Sequence, residues 1–138
     1  LKMGDEIKVT NRRKSNYIDN YKSKFTLNNI LNVSIGPEFN NLKKESIDKI
    51  FNNEFTIDYN NRMAYNLKEK LPDTIKSIIS SPVLPGTVQL TPSGNLIVLH
   101  RDCQTSGGYN RILQLEDKSL NNLSQLKNGD KVKFKLIN

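Results

Sequence analysis

Three stretches of the chain place apolar side chains at every second position: Leu31-Val33-Ile35, Phe55-Ile57-Tyr59 and Val132-Phe134-Leu136. A period of two marks a strand with one face in a core, because successive side chains of extended backbone point to opposite sides. Shorter runs at Glu6 to Thr10, Thr87 to Leu90, Leu96 to Leu99 and Arg111 to Leu115 bring the expected strands to about seven, separated by Gly, Pro and Asn. That many short strands predicts a barrel or a sandwich. Two segments change period. From Leu42 to Asn52, Ile47, Ile50 and Phe51 fall on one helical face with Lys and Glu opposite. From Lys118 to Gln125, Leu120 and Leu123 stand three apart with Leu126 just beyond, and Asp117 holds the place of an N-cap. The class is mainly β with two short helices.

The opening of the chain returns near its close. Leu1-Lys2-Met3-Gly4-Asp5-Glu6-Ile7-Lys8-Val9 is echoed by Leu126-Lys127-Asn128-Gly129-Asp130-Lys131-Val132-Lys133-Phe134, each with a Gly-Asp turn entering a strand. If the second copy closes a barrel, the first is expected to close an earlier one. Residues 1–10 then read as the closing strand of a preceding barrel, or a linker, and residues 11–138 as the barrel domain itself.

At 138 residues the chain fits one ordinary domain, and 36% hydrophobic with 25% charged content places it at the polar end of soluble globular proteins. No apolar run approaches the ~20 residues that cross a bilayer, and Leu1-Lys2-Met3-Gly4-Asp5 does not open a secretory leader. The one cysteine, Cys103, excludes an internal disulfide and suits the cytoplasm; with His100 the one histidine, no zinc spacing exists and no metal is expected. A net charge of +7 raises the question of nucleic acid. The basic residues are scattered, however, with one local cluster at Arg12, Arg13 and Lys14 followed by Tyr17, Tyr21, Lys22 and Lys24, which reads as a solvated loop. Neither a nucleic acid nor a membrane is expected as a partner.

The chemically densest stretch runs from Ser80 to Arg111. Pro85-Gly86 fixes a turn at low entropy cost, and Gly107-Gly108 permits positive φ with backbone N–H groups pointed at an anion or carbonyl. A Gly-Gly turn joining two hairpin strands fits the same residues. Thr105 and Ser106 add hydroxyls.

Pro85-Gly86-Thr87-Val88-Gln89, Gly94 and Asp102-Cys103-Gln104-Thr105-Ser106-Gly107-Gly108-Tyr109 resemble the signature of the bacterial family that unites the C-type subunit of 5-oxoprolinase with allophanate hydrolase subunit 2, and that includes carboxyltransferase-like and Kip antagonist-like members. Ile35-Gly36-Pro37-Glu38 resembles the family's Gly-Pro-Glu turn, and Asn61-Arg62-Met63-Ala64-Tyr65-Asn66-Leu67 its Asn/Asp-Arg-Met-Gly-Tyr-Arg-Leu, with Ala64 and Asn66 in place of glycine and arginine. Asn110 stands where proline is usual, and Leu96 where another proline is common. Gln125 to Asp130 matches as well, and Leu1 to Asp5 resembles the midpoint of full-length members, whose first half carries its own Gln-Asp-x-Gly-Arg motif. The resemblance implies a C-terminal cyclophilin-like β-barrel. It implies a cytoplasmic role, beside a B-type partner subunit (allophanate hydrolase subunit 1-like) and the chain's own N-terminal half, in ATP-dependent hydrolysis of 5-oxoproline to glutamate, with no activity from the fragment alone. Relatives serve as the carboxyltransferase component of urea carboxylase or antagonise a histidine-kinase inhibitor, and these are the alternatives.

A lactam or urea carbonyl needs donors as charge develops on its oxygen and an acceptor for its N–H; Gln89 and Gln104 each offer both. Thr105 and Tyr109 supply hydroxyls, Gly107 and Gly108 the close backbone, and Pro85 and Gly86 a structural turn. Arg62 either grips a substrate carboxylate in a bidentate fork or pairs with a nearby acid. Asp102 is read as accepting backbone N–H bonds in its turn rather than as a general base, and His100 and Cys103 as weak catalytic candidates. The chain holds neither a Gly-x4-Gly-Lys-[Ser/Thr] loop nor a Met-Lys-Met biotin site, so the ATP implied for the full complex is expected on other surfaces and no cofactor on this fragment. The Pro-Gly-Thr-Val-Gln and Gln-Thr-Ser-Gly-Gly-Tyr segments are expected as two loops at one end of the barrel.

Overall fold

The computed structural model describes residues 2–6, 28–73 and 75–137. Its elements in chain order are β1 (Ile30–Ile35), α1 (Lys44–Asn52), β2 (Phe55–Asn60), β3 (Ala64–Leu67), β4 (Ser81–Pro82), β5 (Thr87–Leu90), β6 (Leu96–Leu99), β7 (Ser106–Gly107), β8 (Asn110–Leu115), α2 (Asp117–Leu123) and β9 (Lys131–Leu136). Seven strands close into a barrel in the order β1-β8-β5-β6-β3-β2-β9, and β4 with β7 forms a separate two-stranded ribbon. All barrel neighbours are antiparallel except β1 and β9, whose parallel pairing (Leu31 opposite Phe134) completes the ring. Closure leaves no free sheet edge, which is how a chain of short strands avoids edge-to-edge association.

The period-two patterns fill the barrel. Leu31, Val33, Phe55, Ile57 and Val132 are fully buried, and the rings of Phe55 and Phe134 meet at 5.6 Å. Each such side chain contributes ~1.5–3 kcal/mol by leaving water. In α1, Ile50 is buried, with Ile47 and Phe51 packed against the same core. The other helix lies on β1: Ser119 Oγ accepts the N–H of Asn32 at 2.8 Å, and Glu116 Oε2 accepts from Asn32 Nδ2 at 3.1 Å. Asp117 is not its N-cap. Glu116 holds that position without a side-chain cap bond, and Asp117, the first helical residue, pairs with Arg101 at 3.2 Å.

Cyclophilin-like, mainly β and carrying two helices, this is the barrel expected. Its seventh strand is β3, whose short Ala-Tyr-Asn-Leu alternation the sequence reading passed over; the strand read at Glu6 to Thr10 lies, from Ile7 onward, outside the described residues, as does the Arg12 to Lys24 cluster. The terminal echo is physical where it can be seen. Lys2 N donates to Asp5 Oδ2 at 2.6 Å and Lys127 N to Asp130 Oδ2 at 2.9 Å, with the Asp N–H returning to the Lys carbonyl at 3.1 and 3.0 Å. No helix among the described residues is long and apolar enough to cross a membrane.

Candidate functional site

Pro85-Gly86 is a junction between three strands. Gly86 adopts φ +89°, donates its N–H to Leu99 O and accepts from Leu115 N, both at 2.8 Å. A Cβ there would stand 2.8 Å from Gln114 Nε2, so glycine is required twice over. Thr87 Oγ1 donates to Gln114 Oε1 at 2.8 Å, and Gln114 Nε2 returns to Pro85 O at 2.8 Å, locking the turn to β8.

The second signature segment is neither a loop at the barrel end nor a hairpin turn. It zips against the stretch before the Pro-Gly turn: Val83 N donates to Thr105 O at 3.0 Å, Ser81 lies opposite Gly107, Ile78 N donates to Gly108 O at 2.9 Å, and Asn110 Nδ2 reaches Lys76 O at 2.9 Å. The ribbon starts beside Pro85-Gly86 and ends at Asn110, which pairs with Leu90 at the far end of β5. It therefore runs along the outer face of β5, the face opposite the core residues Val88 and Leu90. Asn110 in place of proline thus has a task, since its amide ties the ribbon to the barrel.

Gly107 and Gly108 are not among the glycines with positive φ. Close approach explains Gly107: a Cβ would stand 2.8 Å from Gln89 Nε2 and 3.6 Å from Gln104 Nε2. Gln89 lies beneath the ribbon at 1% exposure, and its Nε2 has no hydrogen-bond partner. Gln104 and Thr105 are exposed, as is Tyr109 at the ribbon's far end.

Arg62 sits elsewhere, in the β2–β3 turn. Its Nε meets Asp102 Oδ2 at 2.7 Å, while Asp102 N donates to Arg62 O at 3.2 Å. The carboxylate of Asp102 therefore holds a guanidinium rather than the backbone N–H groups expected of it. Beside this pair opens a cleft of about 340 Å³ lined by Asn60, Asn61, Arg62, Tyr65, His100 and Ser124. The imidazole of His100 packs on Tyr65 at 5.4 Å with Nε2 buried and unpartnered, and burial lowers its pKa, which favours the neutral ring. Burial pushes the Cys103 thiol up, the reverse of what a nucleophile needs.

Of the two readings of Arg62, a fork on a substrate carboxylate or a pair with a nearby acid, the structure shows the pair; the bidentate fork it does hold is at Arg111, which the sequence reading took only for the start of a strand. Arg111 Nε and Nη2 meet the two oxygens of Glu38 at 3.0 and 2.7 Å, Glu38 Oε2 also accepts Arg111 N at 2.9 Å, and Nη1 reaches Pro82 O at 2.9 Å. The guanidinium holds the Glu38 carboxyl below its ordinary range and is itself raised. One ion pair thereby fastens the Gly-Pro-Glu turn, β8 and the ribbon together. Among the described residues no group of three His, Cys, Asp or Glu side chains is placed to hold a metal ion.

The family described as carboxyltransferase domain, subdomain A and B, matches residues 1–136. The chain is 28% identical over 137 residues to the C-type subunit of 5-oxoprolinase from Escherichia coli strain K12, covering 97% of this chain and 44% of that protein. It is 30% identical over 114 residues to the same subunit from Haemophilus influenzae, covering 80% and 37%. The chain thus spans less than half the length of these relatives. Its fold superposes on the urea carboxylase of Kluyveromyces lactis with a TM-score of 0.73 at 20% identity, over 79% of this chain and 11% of that one.

Proposed function

The chain belongs to the carboxyltransferase-domain family, subdomain A and B, and from that premise we propose that it is the C-terminal half of a 5-oxoprolinase C-type subunit, contributing one wall of a site for 5-oxoproline. The observation that carries this reading is the match, over 97% of the chain, to a relative named as that 5-oxoprolinase subunit; of the signature segments, the first forms the Pro-Gly turn and β5, and the second one strand of the ribbon over it. The reaction opens a lactam C–N bond with water at the expense of ATP. Negative charge gathers on the carbonyl oxygen as the bond is attacked, and the role of this domain is to present uncharged amide and hydroxyl donors to that oxygen. Arg62, 88% exposed with Nε paired to Asp102, is assigned to the substrate carboxylate, which a guanidinium suits. ATP is handled by the rest of the complex, formed by the N-terminal half and a B-type partner subunit.

The test is reconstitution. Full-length protein mixed with its partner subunits, ATP and 5-oxoproline releases glutamate, and each component alone does not. Absence of glutamate from every combination refutes the reading.

A further inference from the structure

We propose that Gln89 is a ligand donor stored beneath a movable cover: the ribbon lifts from β5, and Gln89 Nε2 then donates to the carbonyl oxygen of a small amide, lactam or ureido ligand. The ligand class rests on the function proposed above; the buried donor and its cover do not.

Three observations lead here. The first is the orphaned donor. Gln89 is 1% exposed with Nε2 unpartnered, and leaving such a donor buried and unpaired costs ~1–3 kcal/mol. Its neighbour on the same face, Thr87, is fully engaged with Gln114 at 2.8 Å, so the outer face of β5 is not generally short of partners. Leucine would fill the space under the ribbon without that cost, and a retained unpaired amide implies a partner that arrives from outside.

The second is how tightly the cover sits. A Cβ at position 107 would stand 2.8 Å from Gln89 Nε2, so the ribbon's backbone occupies the space over the amide and a ligand reaches it only once the ribbon has moved. The donor is uncharged, and the cation next along, Arg111, is neutralised by Glu38 at 2.7 Å. A neutral carbonyl suits such a donor better than a carboxylate, which would seek the cation.

The third is the cover itself. Its strands β4 and β7 have two residues each, and Ile79 on it is 92% exposed. A two-stranded ribbon of this size is at best marginally stable by itself. It is pinned at its ends, by Asn110 to Lys76 O and by Arg111 to Pro82 O, both at 2.9 Å. Between those pins it can part from β5 without disturbing the barrel ladder.

The experiment uses full-length protein carrying Gln89→Leu, with Gln89→Met, of similar length and without the amide, as a second variant. Binding of 5-oxoproline and of urea is measured by calorimetric titration, and thermal midpoints are recorded alongside. Both variants are expected to weaken binding at least tenfold while leaving the midpoint unchanged or higher. Wild-type affinity in Gln89→Leu, a fall in midpoint together with affinity, or failure of wild type to bind either probe overturns the proposal. Amide exchange at Ile78 and Val83 as slow as at Leu113 in the barrel overturns the cover. Glutamate release separates this proposal from the functional one. A complex that is active and indifferent to Gln89→Leu refutes the donor alone; an inactive complex whose urea binding still depends on Gln89 refutes the 5-oxoproline reading alone.

Discussion

Two arginines show what one residue's surroundings decide. Arg62 and Asp102 make a 2.7 Å contact, yet at 88% and 45% exposure the pair belongs to the class that contributes ~0–1 kcal/mol. Arg111 and Glu38 are 19% and 15% exposed and share a fork plus a backbone bond. Glu38→Gln keeps the shape and removes the charge, so it is expected to lower unfolding stability by ~2 kcal/mol at neutral pH, as charge-assisted bonds do. Urea unfolding measures it, and a loss below ~0.5 kcal/mol would mean the fork is no better than a surface pair. A motif drew attention to Arg62, where the sequence left a fork and an acid pair equally open, and the pair is what forms. Glu38 and Arg111 are 73 residues apart, and nothing local to either announces the other; the one available hint was the Gly-Pro-Glu turn.

At the scale of elements, what was legible is what repeats. β1, β2 and β9 each carry six residues with alternating burial over their first half, enough for a period to be read. Ala-Tyr-Asn-Leu in β3 has four, and β4 and β7 consist of Ser-Pro and Ser-Gly, residues whose local preference is for turns. Only the barrel beneath makes them extended, so their strand character is a tertiary effect. That is also why Gly107-Gly108 looked like a turn: Gly107 serves close approach to Gln89, a residue that no local pattern connects with it. The helix α2 illustrates the opposite case, with apolar spacing legible and docking invisible. Ser119 is 2% exposed and its Oγ accepts the Asn32 N–H of β1 at 2.8 Å. Ser119→Ala strands that N–H next to an apolar methyl and is expected to cost ~1–2 kcal/mol, measurable as a lower thermal midpoint. An unchanged midpoint would show that α2 is held on β1 by Leu120 and Leu123 alone.

For the whole molecule, the shifted groups combine into one pH profile. His100 is lowered from 6.5 chiefly by burial, so the folded protein takes up its proton less readily than the unfolded chain; the stability it contributes is present above 6.5 and is lost as pH falls through its lowered folded value. Glu38 is lowered from 4.5 by its bond to Arg111. Glu69 is lowered too: burial would raise it, but the N–H and hydroxyl of Thr56, at 2.6 and 2.8 Å, together outweigh that. Both carboxylates contribute stability above 4.5 that disappears as each is protonated in the fold. Cys103, raised from 9.0 by burial, acts at the other end, holding stability that is lost as pH climbs through its raised folded value. The profile is therefore expected to be flat from about pH 7 to 9, to decline in a first step below pH 6.5 and to decline again below pH 4.5. His100→Asn removes the first step and leaves the second, because the carboxylates sit on other elements. Thermal midpoints of both proteins at half-unit intervals from pH 4 to 10 check this; a first step that persists in His100→Asn would show that another group titrates there.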